Sequence, residues 1–292
     1  MNKFIYFFIF CIFILTGCNL RSDKLYVFEL PHSPTEADWE NGLPYYISIE
    51  KGKLNHISTE TKKLDDEIVH KSNKTCHHVE AVKPVTAELT SFHTKDFFFM
   101  RIKWPDPDMD NKPAVWDEGK QAWDKTKGAE DGISILWNFT DNSSYNCSSN
   151  CHLDEFEVKN SILTPFNKMK TKNEERHDFW SWWAGRNKTE KYIIPGFIDS
   201  TGIHEEKQYL TNSGKIPIMS YGYYKDGYWI VTISSPLNYF KLPSNQFVPD
   251  KSYQFQIAFF DNSYSDHSIT LTMQNAVFVE SKIIRDETKD FD

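Results

Sequence analysis

Apolar and polar positions alternate along much of this chain, in runs about as long as a β-strand. Between residues 96 and 104, Phe98, Met100, Ile102 and Trp104 fall on one face and Arg101 and Lys103 on the other. A period of two predicts a half-buried strand. Ile133, Ile135, Trp137 and Phe139 repeat the pattern, as do Tyr253, Phe255, Ile257 and Phe259, and then Ile269, Leu271 and Met273. Residues 221–224 and 228–233 flank Lys225-Asp226-Gly227, whose Asp-Gly pair signals a tight hairpin turn. Residues 85–92 and 97–104 flank the polar His93-Thr94-Lys95-Asp96 and predict a second hairpin. No segment carries the periodicity and caps of a long amphipathic helix. Short antiparallel strands with polar turns predict an all-β fold, an antiparallel β-sandwich.

Residues 141–195 break the rhythm. They are rich in Asn, Ser, Lys and Glu, and carry two cysteines and the cluster Phe179-Trp180-Ser181-Trp182-Trp183. An insertion of this size in a compact domain is usually functional or disordered. The tryptophans argue against disorder, because such rings are costly to leave in water.

The start of the chain has a different pattern. Lys3 precedes an apolar run over residues 4–15, followed by Leu15-Thr16-Gly17-Cys18 and the polar residues 19–24. A spanning helix needs roughly 20 apolar residues, so the run reads as an export signal that is removed. Leu-Thr-Gly-Cys resembles the site at which a bacterial lipoprotein is cleaved and acylated on cysteine. The expected organisation is a signal peptide over residues 1–17, a tether over 18–30 lipidated at Cys18, and one domain over 31–292. Such a protein sits in the cell envelope, anchored to a bacterial membrane by its acyl chains. Loss of Lys3 with the signal leaves 32 basic side chains against 41 acidic, a formal charge of −9. That balance repels nucleic acid, so no nucleic-acid partner is expected.

Cys11 leaves with the signal and Cys18 carries lipid, so Cys76, Cys147 and Cys151 remain. An odd number of thiols in an oxidising compartment calls for a reason. Asn146-Cys147-Ser148-Ser149-Asn150-Cys151-His152 is the most specific polar constellation. Two thiols followed at once by His suit covalent haem attachment, although the common spacing has two residues between the cysteines and this chain has three. A Cys147–Cys151 disulfide, a disulfide from either to Cys76, and a zinc site of His152 with Cys76, His77 or His78 compete for the same residues. Gly-rich phosphate loops, nucleophile elbows and His-Glu-x-x-His are missing, and no catalytic role is expected.

The order of several motifs resembles the haem-binding domain family of the ethylbenzene dehydrogenase γ-subunit, with its stand-alone exported cytochromes. Asp38-Trp39-Glu40-Asn41-Gly42 is similar to the family's opening segment. Residues 85–104 followed by Pro105-Asp106-Pro107 resemble its hairpin ending in Trp and Asp-Pro, and residues 131–137 its next strand. Cys147 to His152 stand where many exported members carry Cys-x-x-x-Cys-His. Met169 followed by Asp178-Phe179-Trp180-Ser181-Trp182 resembles their Met and Asp-x-Trp-x-Trp.

The resemblance implies an immunoglobulin-like sandwich, similar to family 9 carbohydrate-binding modules, with a long loop wrapping one c-type haem bonded to Cys147 and Cys151. His152 would be the proximal iron ligand and Met169 the distal one, with His177 the runner-up. Trp180 and Trp182 would face the cofactor, a role that competes with filling the core. Members often carry His and Lys where this chain has Ser181 and Trp183, which leaves those two positions without a redox role. The expected function is a membrane-tethered monohaem electron carrier serving exported redox proteins. The rival is a carbohydrate-binding β-sandwich lipoprotein without haem, its exposed aromatic rings stacking on sugars.

Overall fold

The hairpin built around Asp226-Gly227 shows how directly local chemistry sets this fold. Asp226 and Gly227 both have positive φ, 52° and 81°, the backbone of a type I′ turn, whose twist matches that of the flanking strands. The computed structural model describes residues 22–49, 60–64, 67–71, 84–113, 115–117, 122–124, 129–139, 156–159, 162–165, 177–185, 194–199, 202–205, 218–238, 246–262, 268–270 and 273–280.

Thirteen strands make the main sheet. They are β1 (Leu25–Glu29), β2 (Tyr45–Ile49), β3 (Val85–His93), β4 (Phe97–Pro105), β5 (Gly132–Asn138), β6 (His177–Trp183), β7 (Ile194–Asp199), β8 (Gly202–Glu205), β9 (Met219–Lys225), β10 (Tyr228–Pro236), β11 (Ser252–Phe260), β12 (Ser268–Ile269) and β13 (Gln274–Val279). Their order is β8-β7-β6-β5-β11-β13-β1-β3-β4-β10-β9, with β2 on β3 and β12 on β11. The ladders are antiparallel except at β1, which runs parallel to both β13 and β3 and joins the two halves of the sheet. A further four short strands, Glu60–Leu64, Glu67–Lys71, Phe156–Lys159 and Ile162–Pro165, form a sheet of their own.

The two halves fold face to face. Trp182 of β6 meets Trp229 of β10 at 5.3 Å and Trp104 of β4 at 6.2 Å, while Phe98 of β4 meets Trp137 of β5 at 5.7 Å. These rings belong to one core with Ile102, Val231, Ile257 and Phe278. The predicted face of Phe98, Met100, Ile102 and Trp104 is buried in it throughout. The chain is therefore an all-β sandwich, as the alternation predicted.

Helix α1 (Glu36–Asn41) is short and held by a capping box: Asp38 N donates to Thr35 Oγ1 and Thr35 N donates back to the Asp38 carboxylate at 2.7 Å. It lays Trp39 on Phe92 and Phe99, on the outer side of β3 and β4. Arg101 lies over the Trp39 ring at 4.6 Å and forms a two-pronged bond to Glu36 at 2.8 and 2.7 Å.

The expected tether over 18–30 is corrected at its end. Leu25 and Val27 are completely buried in a central strand, so the sandwich starts at Leu25 rather than at residue 31. The insertion over 141–195 is corrected too, because its tryptophan cluster is β6, paired on both sides with β5 and β7. Of the strand expected through Ile269, Leu271 and Met273, Ser268–Ile269 is paired with β11, Leu271 lies outside the described residues, and β13 follows from Gln274.

Candidate functional site

Among the described residues, one patch of the outer sheet face stays open beside α1. On β10, Trp229, Val231 and Ile233 point into the core, which leaves Tyr228, Ile230 and Thr232 facing outward. On the edge strand β9, Gly222 points inward, so Tyr221 and Tyr223 face out. Tyr221 is 62% exposed and Tyr228 40%. The Tyr221 and Tyr223 rings lie 5.6 Å apart, tilted by 42°. Register lines up Tyr46, Glu88, Lys103, Ile230 and Tyr223 across β2, β3, β4, β10 and β9. Four strand spacings make that row roughly 19 Å long. Lys103 holds its ammonium 5.1 Å from the centre of the Tyr228 ring, and Lys225 stands directly opposite Tyr228 across the hairpin.

The inside of the same hairpin explains how the tyrosines are held. A Cβ on Gly222 would stand 2.3 Å from the Trp182 ring, so only glycine lets β9 approach that closely. At the turn, Asp106 N donates to Gly227 O at 2.9 Å, and the Tyr224 hydroxyl donates to Asp106 O at 2.8 Å. Trp229 Nε1 donates to Asp131 at 2.8 Å.

Asp131 is the centre of an acidic corner at this end of the sandwich. Its carboxylate also accepts from Asp110 N at 2.8 Å and Asn262 N at 3.0 Å. Burial pushes its pKa up to about 6, against the pull of those N–H donors. Carboxylate oxygens of Asp106, Asp131 and Asp261 lie within 4.8 Å of one another. Two oxygens at ~2.4 Å on opposite sides of a calcium ion would have that separation, so these are the described residues able to share a hard cation. Asp131 is already occupied by three N–H donors, which makes the corner an anchor for the hairpin in its own right.

The residues assigned from sequence fall into two groups. Cys18, Cys147, Cys151, His152 and Met169 lie outside the described residues, as do Cys76, His77 and His78. Trp180, Trp182 and His177 are described, and all three are buried on β6. Trp180 packs on Trp137 at 5.4 Å and against Phe98 and Phe247, while Trp182 packs on Trp104 and Trp229. Both tryptophans project into the sandwich core, where protein rings cover them. Strand alternation turns His177 to the opposite face of β6, so His177 and this pair do not address one common space. The described part of the expected haem pocket is therefore a packed core and does not fit a porphyrin between these three side chains. Burial also pushes the His177 pKa down to about 4.

The tyrosine face was not picked out as a site from the sequence. Its signal was present as three tyrosines on the polar phase of the Asp-Gly hairpin, where alternation places them opposite the buried Trp229 and Val231.

A sandwich of this topology defines the class, and comparison with known proteins supplies the family. The family model described as ethylbenzene dehydrogenase matches residues 36–216, more than half of the chain, and the chain belongs to that family. No curated protein matches it in sequence. Among solved structures, one of a carbohydrate-binding protein from Bacteroides uniformis matches with a TM-score of 0.43 and 7% identity, covering 87% of this chain and 90% of that one. A family 9 carbohydrate-binding module from Caldicellulosiruptor kristjanssonii in complex with cellotriose matches with a TM-score of 0.37 and 7% identity, covering 88% and 94%. The structure of a module from the same organism with glucose matches at 0.30 and 7%, covering 87% and 95%.

The expectation of a monohaem electron carrier is corrected at β6: the two tryptophans meant to front the haem are interior rings in this chain, packed against Trp137, Trp104 and Trp229.

Proposed function

We propose that this protein is a non-catalytic carbohydrate-binding module, tethered to the cell envelope by lipid at Cys18, with the β9–β10 face as its sugar platform. The observation that carries this reading is the group of three outward tyrosines, Tyr221, Tyr223 and Tyr228, on two adjacent strands of a rigid sheet. An aromatic face is electron-rich, and the C–H-lined face of a sugar ring lies flat against it while the sugar hydroxyls keep their water. The strands fix the rings before binding, which lowers the ordering cost. Thr232 and Lys103 beside the rings offer polar contacts to the sugar rim. The acidic corner contributes by pinning the turn of the same hairpin.

Affinity electrophoresis through gels containing plant and bacterial polysaccharides tests the reading. Migration slows in at least one polysaccharide, and Tyr221→Ala weakens the retardation roughly tenfold, the ~1.4 kcal/mol expected for one stacked ring. Unchanged mobility in every polysaccharide, or retardation indifferent to Tyr221→Ala and Tyr223→Ala together, contradicts it.

A further inference from the structure

The tyrosine face carries a charge pattern at odds with the chain around it. The protein has 41 acidic side chains against 33 basic ones, yet the two side chains that bracket Tyr228 are both lysines. Lys103 approaches the Tyr228 ring from β4, and Lys225 faces it across the hairpin. Arg101, on the same face, is already taken by Glu36 and Thr232. Lys103 and Lys225 make no ion pair among the described residues. Glu88 stands opposite Lys103 in the ladder, but the Lys103 ammonium turns to the tyrosine instead. Asp226 follows Lys225 in the turn without reaching it in an ion pair.

The arrangement therefore has two parts. Tyr221 presents an open ring with the half-exposed Tyr223 beside it, and two lysines, diagonal to one another and two strands apart, stand on either side of Tyr228 without an ion-pair partner among the described residues. A neutral sugar would use the rings and leave both lysines idle. A sugar bearing one carboxylate per ring would use both parts, about one cation for each ring engaged. A densely sulfated chain would bring more charge than two lysines answer, and the acidic balance of the chain would repel the excess.

Resting on the carbohydrate-binding reading above, we infer that the ligand class is an acidic polysaccharide of the uronate type, its sugar rings on Tyr221 and Tyr223 and its carboxylates on Lys103 and Lys225. Tyr228 keeps Lys103 extended over its ring, so that the ammonium is placed before the ligand arrives.

The test uses the full-length protein purified in detergent and compares polygalacturonate, neutral xylan and dextran sulfate by affinity electrophoresis and calorimetry. Polygalacturonate is expected to bind best, more weakly as salt rises. The Lys103→Gln, Lys225→Gln double variant is expected to lose roughly tenfold or more of that affinity while keeping the thermal midpoint of the parent. Xylan bound as well as polygalacturonate, with no effect of the lysine variant, overturns the uronate assignment and leaves the carbohydrate reading standing. Dextran sulfate bound more tightly than polygalacturonate also overturns it. Binding to none of the three polysaccharides at any salt, with the fold intact, overturns the uronate assignment and counts against the carbohydrate reading.

Discussion

Two buried ionisable side chains pull the pH dependence of stability in opposite directions. His177 is held neutral, its pKa moved from 6.5 to about 4. The unfolded chain takes up this proton as pH falls below 6.5, so the stability due to a neutral His177 is present above 6.5 and is lost on the way to 4. Asp131 is the reverse, moved from 3.8 up to about 6. The folded state takes up that proton first, so stability is gained as pH falls from 6 towards 3.8. Each shift of about two units corresponds to about 3 kcal/mol, and between pH 4 and 6 the two slopes offset one another. Asp131→Asn is predicted to uncover the His177 slope, with urea midpoints falling on acidification from pH 6.5. His177→Phe is predicted to uncover the other, with midpoints rising over the same range. Parallel curves for the two variants would contradict this assignment.

At the scale of single elements, the hairpin β9–β10 depends on its contacts inward. Gly222 allows β9 to lie against Trp182, a ring with no room to retreat because Trp104 and Trp229 flank it. Gly222→Ala is predicted to cost about 1–3 kcal/mol through overpacking, read as a lowered thermal midpoint, with a larger loss of glycan binding than a change at a half-buried position such as Ser234→Ala. The sequence was most legible in such elements when one face was wet. β10 and the second half of β4 alternate clearly, and Asp-Gly marked the hairpin turn. It was least legible where both faces are covered. Every residue of β6 is buried, so His177-Asp178-Phe179-Trp180-Ser181-Trp182-Trp183 shows no alternation and resembled a functional cluster in a loop. In β1, Tyr26 and Phe28 stack on the outer side while Leu25 and Val27 fill the core, and that two-sided apolar run disguised a central strand as a tether.

For the whole molecule, the sandwich class was readable because it rests on periodicity summed over many strands. The site was not, because it is made by register. Lys103 is more than a hundred residues before the tyrosine hairpin and joins Ile230 and Tyr223 in a row only when β4 aligns with β10. Cys147-x-x-x-Cys151-His152 stands out in the sequence because it is a local pattern, as do Trp180 and Trp182, which are buried in the core. The lattice of tyrosines and lysines lies on the same outer face as α1, and Asp106 and Asp131 hold its hairpin in place through Gly227, Tyr224 and Trp229.

Hydrogen exchange in the presence and absence of a polysaccharide retained by the protein tests the central claim most directly, because it locates the ligand without substituting any residue. Slower exchange is predicted in the peptides covering Met219–Lys225, Tyr228–Pro236 and the second half of Phe97–Pro105. Protection confined to residues 141–176, with the β9–β10 hairpin unchanged, would contradict the account.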